Sequence, residues 1–352
     1  MDWSIIEQWF TYQENSPLLF TQRYFWVFFA FVMGGFSLVY KHTARRNVFL
    51  FAVSLFFYYK TSGFYFIILL FSTVVDFVIG WAIYTNKVKW QRQFLVALSV
   101  LVNLMVLGYF KYAYFVVDFL HDLTGIELTV INSFALWTNQ AVGTNFVFEK
   151  ILLPVGISFF TFQTISYSVD IYRGHVKPVR NILDFGFYVS FFPQLVAGPI
   201  VRASEFIPQI HQPYQLSKQR AGLAVFWILN GLLKKLFLAD YLAVQFIDRV
   251  FDNPQLYSGF ETMSALFGYS LQVYADFSGY TDVAIGIAML LGFTLPKNFN
   301  SPYKASSVAD FWRRWHLSLS TWLRDYLYIP LGGNRKGSIA SYVIVFIFFV
   351  MI

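Results

Sequence analysis

A chain of 352 residues that is 57% hydrophobic and only 13% charged carries about half the charge of an ordinary soluble domain. That excludes a single water-soluble core and predicts an all-α, multi-pass integral membrane protein. The absence of cysteine excludes disulfides, a thiolate nucleophile, a covalent cysteine thioester and Cys-ligated zinc, and the net charge of +7 reads as basic cytoplasmic loops rather than a nucleic-acid surface.

The first residues are acidic and lack the basic n-region and small-residue cleavage site of a secretory signal, so the first span is expected to persist in the mature protein. Ile5, Ile6, Trp9 and Phe10 recur at helical spacing, as a short interfacial helix or as a frayed terminus. Apolar runs at 24–40, 48–60, 64–84, 94–120 and 151–172 predict five spans. The second is short of the ~20 residues that a ~30 Å hydrocarbon core wants. Either it borrows Arg46 and Asn47 or it sits where the bilayer is thinned. The loops after spans one, three and five carry Lys41, Arg45 and Arg46, then Lys87, Lys89 and Arg92, then Arg173, Lys177 and Arg180. The alternate segments hold only Lys60 and Lys150. This asymmetry predicts that the N-terminus and the 121–150 loop lie outside. No Gly/Ser/Pro-rich linker divides the chain, so it reads as one membrane domain, with lipid-facing wall helices over 1–150 and a polar core over 151–337.

Beyond Gly174 the pattern changes. Residues 183–196 form a short apolar run ending in FFPQLVAGPIVR, of the length that re-enters or is buried rather than spans. Residues 220–250 are split by Lys234 and Lys235, and 259–293 carry Asp276, Gly279 and Asp282. Polar breaks at membrane depth are tolerated inside protein or beside water, so these runs predict broken helices around a polar core.

The densest feature is SSVADFWRRWHLSLSTWLRDYLYIPLGGNRKG, residues 306–337. Ser307 with Asp310 three residues on resembles a capping box, so one helix is expected from Val308 to the residue before Pro330. Trp312, His316 and Ser320 would share its face, with Trp315, Arg313, Arg314, Arg324 and Asp325 around them. Ionisable groups in an apolar protein are usually functional, and histidine is the side chain suited to take and return a proton near neutral pH. The alternative is an interfacial helix whose arginines reach lipid phosphates. Asp76, inside the third span, reads as a buried hydrogen-bonding group. His42, His175 and His211 fall in basic or proline-bounded loops and read as solvated. No metal-ligand spacing and no phosphate-binding glycine loop occurs, so no metal is expected.

The stretches VGISFFTFQTISYSVDIYRG (155–174), FFPQLVAGPIVR (191–202), VYADFSGYTDVAIGIAMLLGF (273–293), PKNFNSPY (296–303) and DFWRRWHLSLSTWLRDYLYIPLGGNR (310–335) strongly resemble the membrane-bound O-acyltransferase family, and within it the bacterial alginate O-acetyltransferase branch. The resemblance implies an outer ring of transmembrane helices around short and re-entrant helices that form a tunnel. It implies transfer of an acetyl group from a thioester donor, with acetyl-CoA the expected one and no bound cofactor, to hydroxyls of an exported polysaccharide. It also implies the bacterial inner membrane and periplasmic acetyltransferase partners. His316 matches one family histidine. The second, in a Trp-His-Gly motif, has no counterpart before Ile352. The terminal run 339–352 is apolar to its last residue, so an incomplete copy of the domain, inactive as given, is expected. His316 is the expected base, or the partner of that second histidine. Arg313, Arg314 or Arg324 would hold an anionic donor or acceptor, or else pair with Asp276, Asp282, Asp310 or Asp325. Asp310 reads as a helix cap rather than an acid. Two other classes stay open: a transporter, suggested by broken helices and intramembrane charge, and a non-catalytic scaffold that passes acyl groups to a periplasmic partner.

Overall fold

The computed structural model describes residues 11–13, 17–127, 129–144, 150–196, 198–333, 338, 339, 342, 343 and 346. The amphipathic stretch at 5–10 and most of the terminal run 339–352 lie outside the described residues. Every described element is helical, as the composition predicts. The first helices are α1 (Arg23–Val39), α2 (Thr43–Ser62), α3 (Phe66–Thr85), α4 (Lys89–Thr124), α5 (Ser133–Val142) and α6 (Ile157–Arg173). All but α5 fall on the five apolar runs. Among the described residues, Thr43–Thr85, Lys89–Thr124 and Lys218–Asp252 are long and apolar enough to cross a membrane, and Arg23–Val39 is a shorter apolar helix. The chain is an integral membrane protein.

Helix α2 begins early enough to include Arg46 and Asn47. Arg46 is therefore not the loop cation that the charge pattern implied. It is 2% exposed, and its guanidinium donates to the carbonyls of Ile210 and Gln212 at 2.6 and 2.9 Å. An arginine on terminal helix carbonyls satisfies groups that have no intrahelical partner.

The chain divides into two compact units that do not follow chain order, one built on Ser54–Ser190 and the other on Leu18–Val53 with the residues from Phe191 onward. In the first unit α3, α4 and α6 pack on one another, and α7 (Ile182–Ser190) lies against α3 and α6. A Cβ at Gly80 of α3 would stand 2.8 Å from the Tyr167 ring of α6, so glycine permits that approach. Asp76 is buried here, as its sequence context predicts. Its carboxylate accepts from Ser99 and Ser168 on one oxygen and from Asn103 Nδ2, at 2.7 Å, on the other. Asn103 Oδ1 in turn accepts from Ser72 and Thr164 at 2.7 and 3.0 Å.

The second unit holds α8 (Phe192–Leu195), α9 (Ala203–Ile210), α10 (Lys218–Leu233) and α11 (Gly259–Leu290). The 183–196 run is thus two short helices, and Phe185–Leu195 is buried throughout. Helix α10 does not break at Lys234 and Lys235. It continues to Asp252 through π-helical turns at Lys234–Asp240 and Ala243–Ile247. Helix α11 also runs unbroken through Asp276, Gly279 and Asp282. The expected breaks are absent because the polar side chains find partners across the helix pair. Lys234 reaches Asp282 at 2.6 Å, Asn230 donates to the same carboxylate at 2.7 Å, and Lys235 reaches Asp276 at 2.7 Å. The helices meet at glycines: a Cβ on Gly231 would lie 2.5 Å from the Gly279 carbonyl oxygen, and one on Gly286 would lie 2.6 Å from that of Ala224. Small residues that let backbones approach are the usual means of packing helices in lipid.

Candidate active site

The predicted helix over 308–329 is two helices, α12 (Val308–Trp312) and α13 (Leu317–Leu323), the latter extended by a π-helical turn over Arg324–Tyr328. Ser307 caps α12 as expected, accepting from the Asp310 amide at 3.1 Å. No proline or glycine marks the break at 313–316; tertiary contacts produce it. The Asn300 amide donates to the Arg314 carbonyl and the Leu317 amide to the Asn298 carbonyl, each at 2.9 Å. The Ser318 amide donates to Asn298 Oδ1 at 3.1 Å and the Ser318 hydroxyl to the same oxygen at 3.0 Å. The first amides of α13, which a helix cannot satisfy internally, are thus capped from a segment some twenty residues upstream. Ser318 Oγ also accepts from the Ile200 amide at 3.0 Å, which ties in the AGPIVR stretch.

His316 sits at this junction with φ 43° and ψ 57°, in the left-handed region. A non-glycine residue held there costs about 1–3 kcal/mol, and such residues cluster at functional sites. Its Nδ1 lies 3.1 Å from Asn298 Oδ1. Phe277 of α11 packs edge-on against the imidazole, with ring centroids 4.7 Å apart. His316 is half-buried, whereas His42, His121, His175 and His211 are all exposed. Burial pulls its pKa down to about 4, which its own backbone offsets only in part. The imidazole is therefore neutral at physiological pH, with no described group bonded to Nε2. A neutral, partly sheltered imidazole with one free nitrogen can accept a proton.

The other sequence candidates disperse. Because the helix is broken, Trp312, His316 and Ser320 do not share one face. Trp312 is exposed at the end of α12, and the Ser320 hydroxyl donates to the Trp315 carbonyl at 3.2 Å. Trp315 stays near His316 in an aromatic cluster, stacked on Phe311 and edge-on to Phe299, with ring centroids 5.5 and 5.1 Å away. Arg314 pairs with Asp310 at 3.0 Å, and that hydrogen bond holds the Asp310 carboxyl below the usual range. Asp325 accepts from Arg324 and Arg202, each at 2.7 Å. Burial opposes its charge, but the two arginines outweigh burial and hold its pKa low. Asp276 and Asp282 meet lysines rather than arginines. Arg313 is exposed and forms no ion pair among the described residues. Asn298, Phe277 and Arg202 were not singled out from sequence. All three lie in quoted stretches, but nothing local marks a contact made across eighteen residues or more. Among the described residues no group of three His, Asp or Glu could hold a metal ion.

Residues 178–351 match the sequence profile of MBOAT, the membrane-bound O-acyltransferase family. The chain is 44% identical over 272 residues to the probable alginate O-acetylase AlgI of Azotobacter vinelandii, covering 77% of this chain and 51% of that protein. It is 43% identical over 272 residues to the probable alginate O-acetylase AlgI of Pseudomonas aeruginosa, covering 77% and 49%. It is 36% identical over 328 residues to the peptidoglycan O-acetyltransferase of Helicobacter pylori, covering 86% and 59%. The chain spans about half the length of the curated relatives it matches.

Proposed function

The chain belongs to the membrane-bound O-acyltransferase family, and on that premise we propose that it moves an acetyl group from a cytoplasmic thioester, acetyl-CoA, to hydroxyls of an exported polysaccharide of the alginate type. The relatives' names support the reaction class. The observation that carries the assignment to a residue is His316, held in a left-handed backbone conformation, half-buried and neutral, with Nε2 unengaged among the described residues. In this reading Nε2 takes the proton of the acceptor hydroxyl as its oxygen attacks the thioester carbonyl. The C–S bond then breaks, and the imidazolium returns the proton to the departing thiolate. A positioned base contributes about 10²–10⁴-fold. Arg313, exposed and without an ion pair among the described residues, is the arginine placed to meet an anionic part of the donor. Trp315 and its aromatic neighbours would line the approach to His316. The wider reading has a ring of spanning helices around a tunnel, in the bacterial inner membrane with the N-terminus outside, and periplasmic acetyltransferases as partners.

The test uses the full-length gene product in cells that export the polymer. His316→Gln keeps hydrogen-bonding capacity but cannot act as a base. Polymer acetyl ester should fall by about 10²-fold or more while the variant still inserts in the membrane. Near-normal acetylation would show His316 to be structural. Membranes carrying this protein alone, supplied with acetyl-CoA and polymer, separate an enzyme from a scaffold: transfer is expected, and a requirement for a periplasmic subunit would favour the scaffold.

A further inference from the structure

We propose that Asn298 is a positioning residue for acyl transfer: its side-chain oxygen fixes His316 as the Nδ1–H tautomer and so reserves the Nε2 lone pair for the substrate proton. The inference rests on the reading of His316 as the base. It goes beyond that reading by saying which nitrogen acts and what selects it.

A backbone amide determines which Asn298 atom faces the ring. An asparagine side chain can be turned over, exchanging its oxygen and nitrogen. Here the Ser318 amide, which can only donate, lies 3.1 Å from the Asn298 atom that also faces His316. That atom must therefore be the oxygen. An amide oxygen only accepts, so the ring nitrogen 3.1 Å away must carry a hydrogen. In a neutral imidazole the other nitrogen is then the acceptor.

Asn298 is suited to this in two further respects. It is 1% exposed, and its amide nitrogen finds no hydrogen-bond partner among the described residues. A buried unsatisfied donor is unfavourable, but aspartate would exchange it for a buried charge whose second oxygen meets no described donor, at a larger cost. Asparagine differs in supplying a neutral acceptor. A carboxylate in its place would favour the imidazolium and raise the pH at which the base is lost. The charged groups on the surrounding elements are engaged elsewhere. On α11, Asp276 meets Lys235 and Asp282 meets Lys234. Along the histidine's own segment, Asp310 meets Arg314, and Asp325 meets Arg324 and Arg202. Lys297, beside Asn298, stands over the Trp227 ring. Arg313 is exposed, the Tyr303 phenol donates to the Ser270 carbonyl, and Tyr274 packs on Phe299. A carboxylate at 298 would thus be the anion nearest the ring.

The experiment measures acetyl transfer against pH in membranes carrying the full-length gene product, for the unchanged protein and for Asn298→Asp, Asn298→Leu and His316→Gln, with thermal stability recorded for each. Asn298→Asp should keep most of its rate at its own optimum, with the acidic limb moved up by about 1–2 pH units. Asn298→Leu should lose about 10²-fold in kcat with little change in KM, because the wrong tautomer presents a donor to the substrate hydroxyl. Nitrogen-15 labelling of histidine should show the Nδ1–H form at His316 in the unchanged protein. If Asn298→Leu loses its fold, Asn298→Asp alone decides. A folded Asn298→Asp with an unmoved limb, a folded Asn298→Leu with a near-normal rate, or an Nε2–H form at His316 would overturn the proposal. An active His316→Gln would instead remove the base reading on which it rests.

Discussion

The α3–α4–α6 cluster of the first unit and the α10–α11 seam of the second each hold a buried carboxylate, Asp76 and Asp282, but they satisfy it differently. At Asp76 every partner is neutral: two hydroxyls and an amide fill both oxygens. At Asp282 a lysine joins the neutral Asn230 amide, and Asp276 also meets a lysine, the two lysine side chains being 24% and 16% exposed. Neutral donors around a carboxylate act as a local tie between helices. An ion pair is more exacting, since loss of one member strands the other's charge where solvation is poor. His316 belongs to neither pattern. Among the described residues only its Nδ1 finds a partner, and that residual capacity is what the proposed base would use.

That contrast can be broken at the seam first. Lys234→Met should destabilise the detergent-solubilised protein by about 2–3 kcal/mol, somewhat below the range for a fully buried pair because the lysine is partly exposed. Adding Asp282→Asn should recover most of the loss. Thermal unfolding followed by size-exclusion of the surviving fraction reads both, and equal damage from the single and double variants would mean that the pair is not the source of stability. Asp76→Leu should be milder, about 2 kcal/mol, because the freed hydroxyls can rebond within their own helices and the Asn103 amide already donates to the Ser99 carbonyl at 2.9 Å. Acetyl transfer per folded molecule should be unchanged; a specific loss of rate in stable protein would show Asp76 to be more than a tie. Gly231→Ala should have the smallest effect, about 1–2 kcal/mol of overpacking, since its new Cβ would meet the Gly279 carbonyl. No loss there would mean that the helices separate more readily than the close approach implies.

Much of the helical framework was legible in advance. The apolar runs at 24–40, 48–60, 64–84, 94–120 and 151–172 each became a helix with nearby bounds, because hydropathy over a span is a local property. The Ser307 cap and the burial of Asp76 were legible for the same reason. Lys234, Lys235, Asp276 and Asp282 misled as signs of broken helices, since a charge reads as a break only until its partner on the neighbouring helix is known. The pattern in 308–329 misled as one helix, since residues 313–316 are tolerated in a helix interior and nothing in them signals a stop.

The sequence by itself determined that this is an all-helical membrane protein and that His316 is the one histidine in its most polar motif, because composition and spacing are written along the chain. Only the tertiary structure decided that the motif breaks at that histidine and that Asn298 faces its Nδ1. Both follow from hydrogen bonds between residues about eighteen apart. Those bonds exist only once the 298–300 segment lies beside the broken helix, and their combined gain outweighs the local preference to continue it.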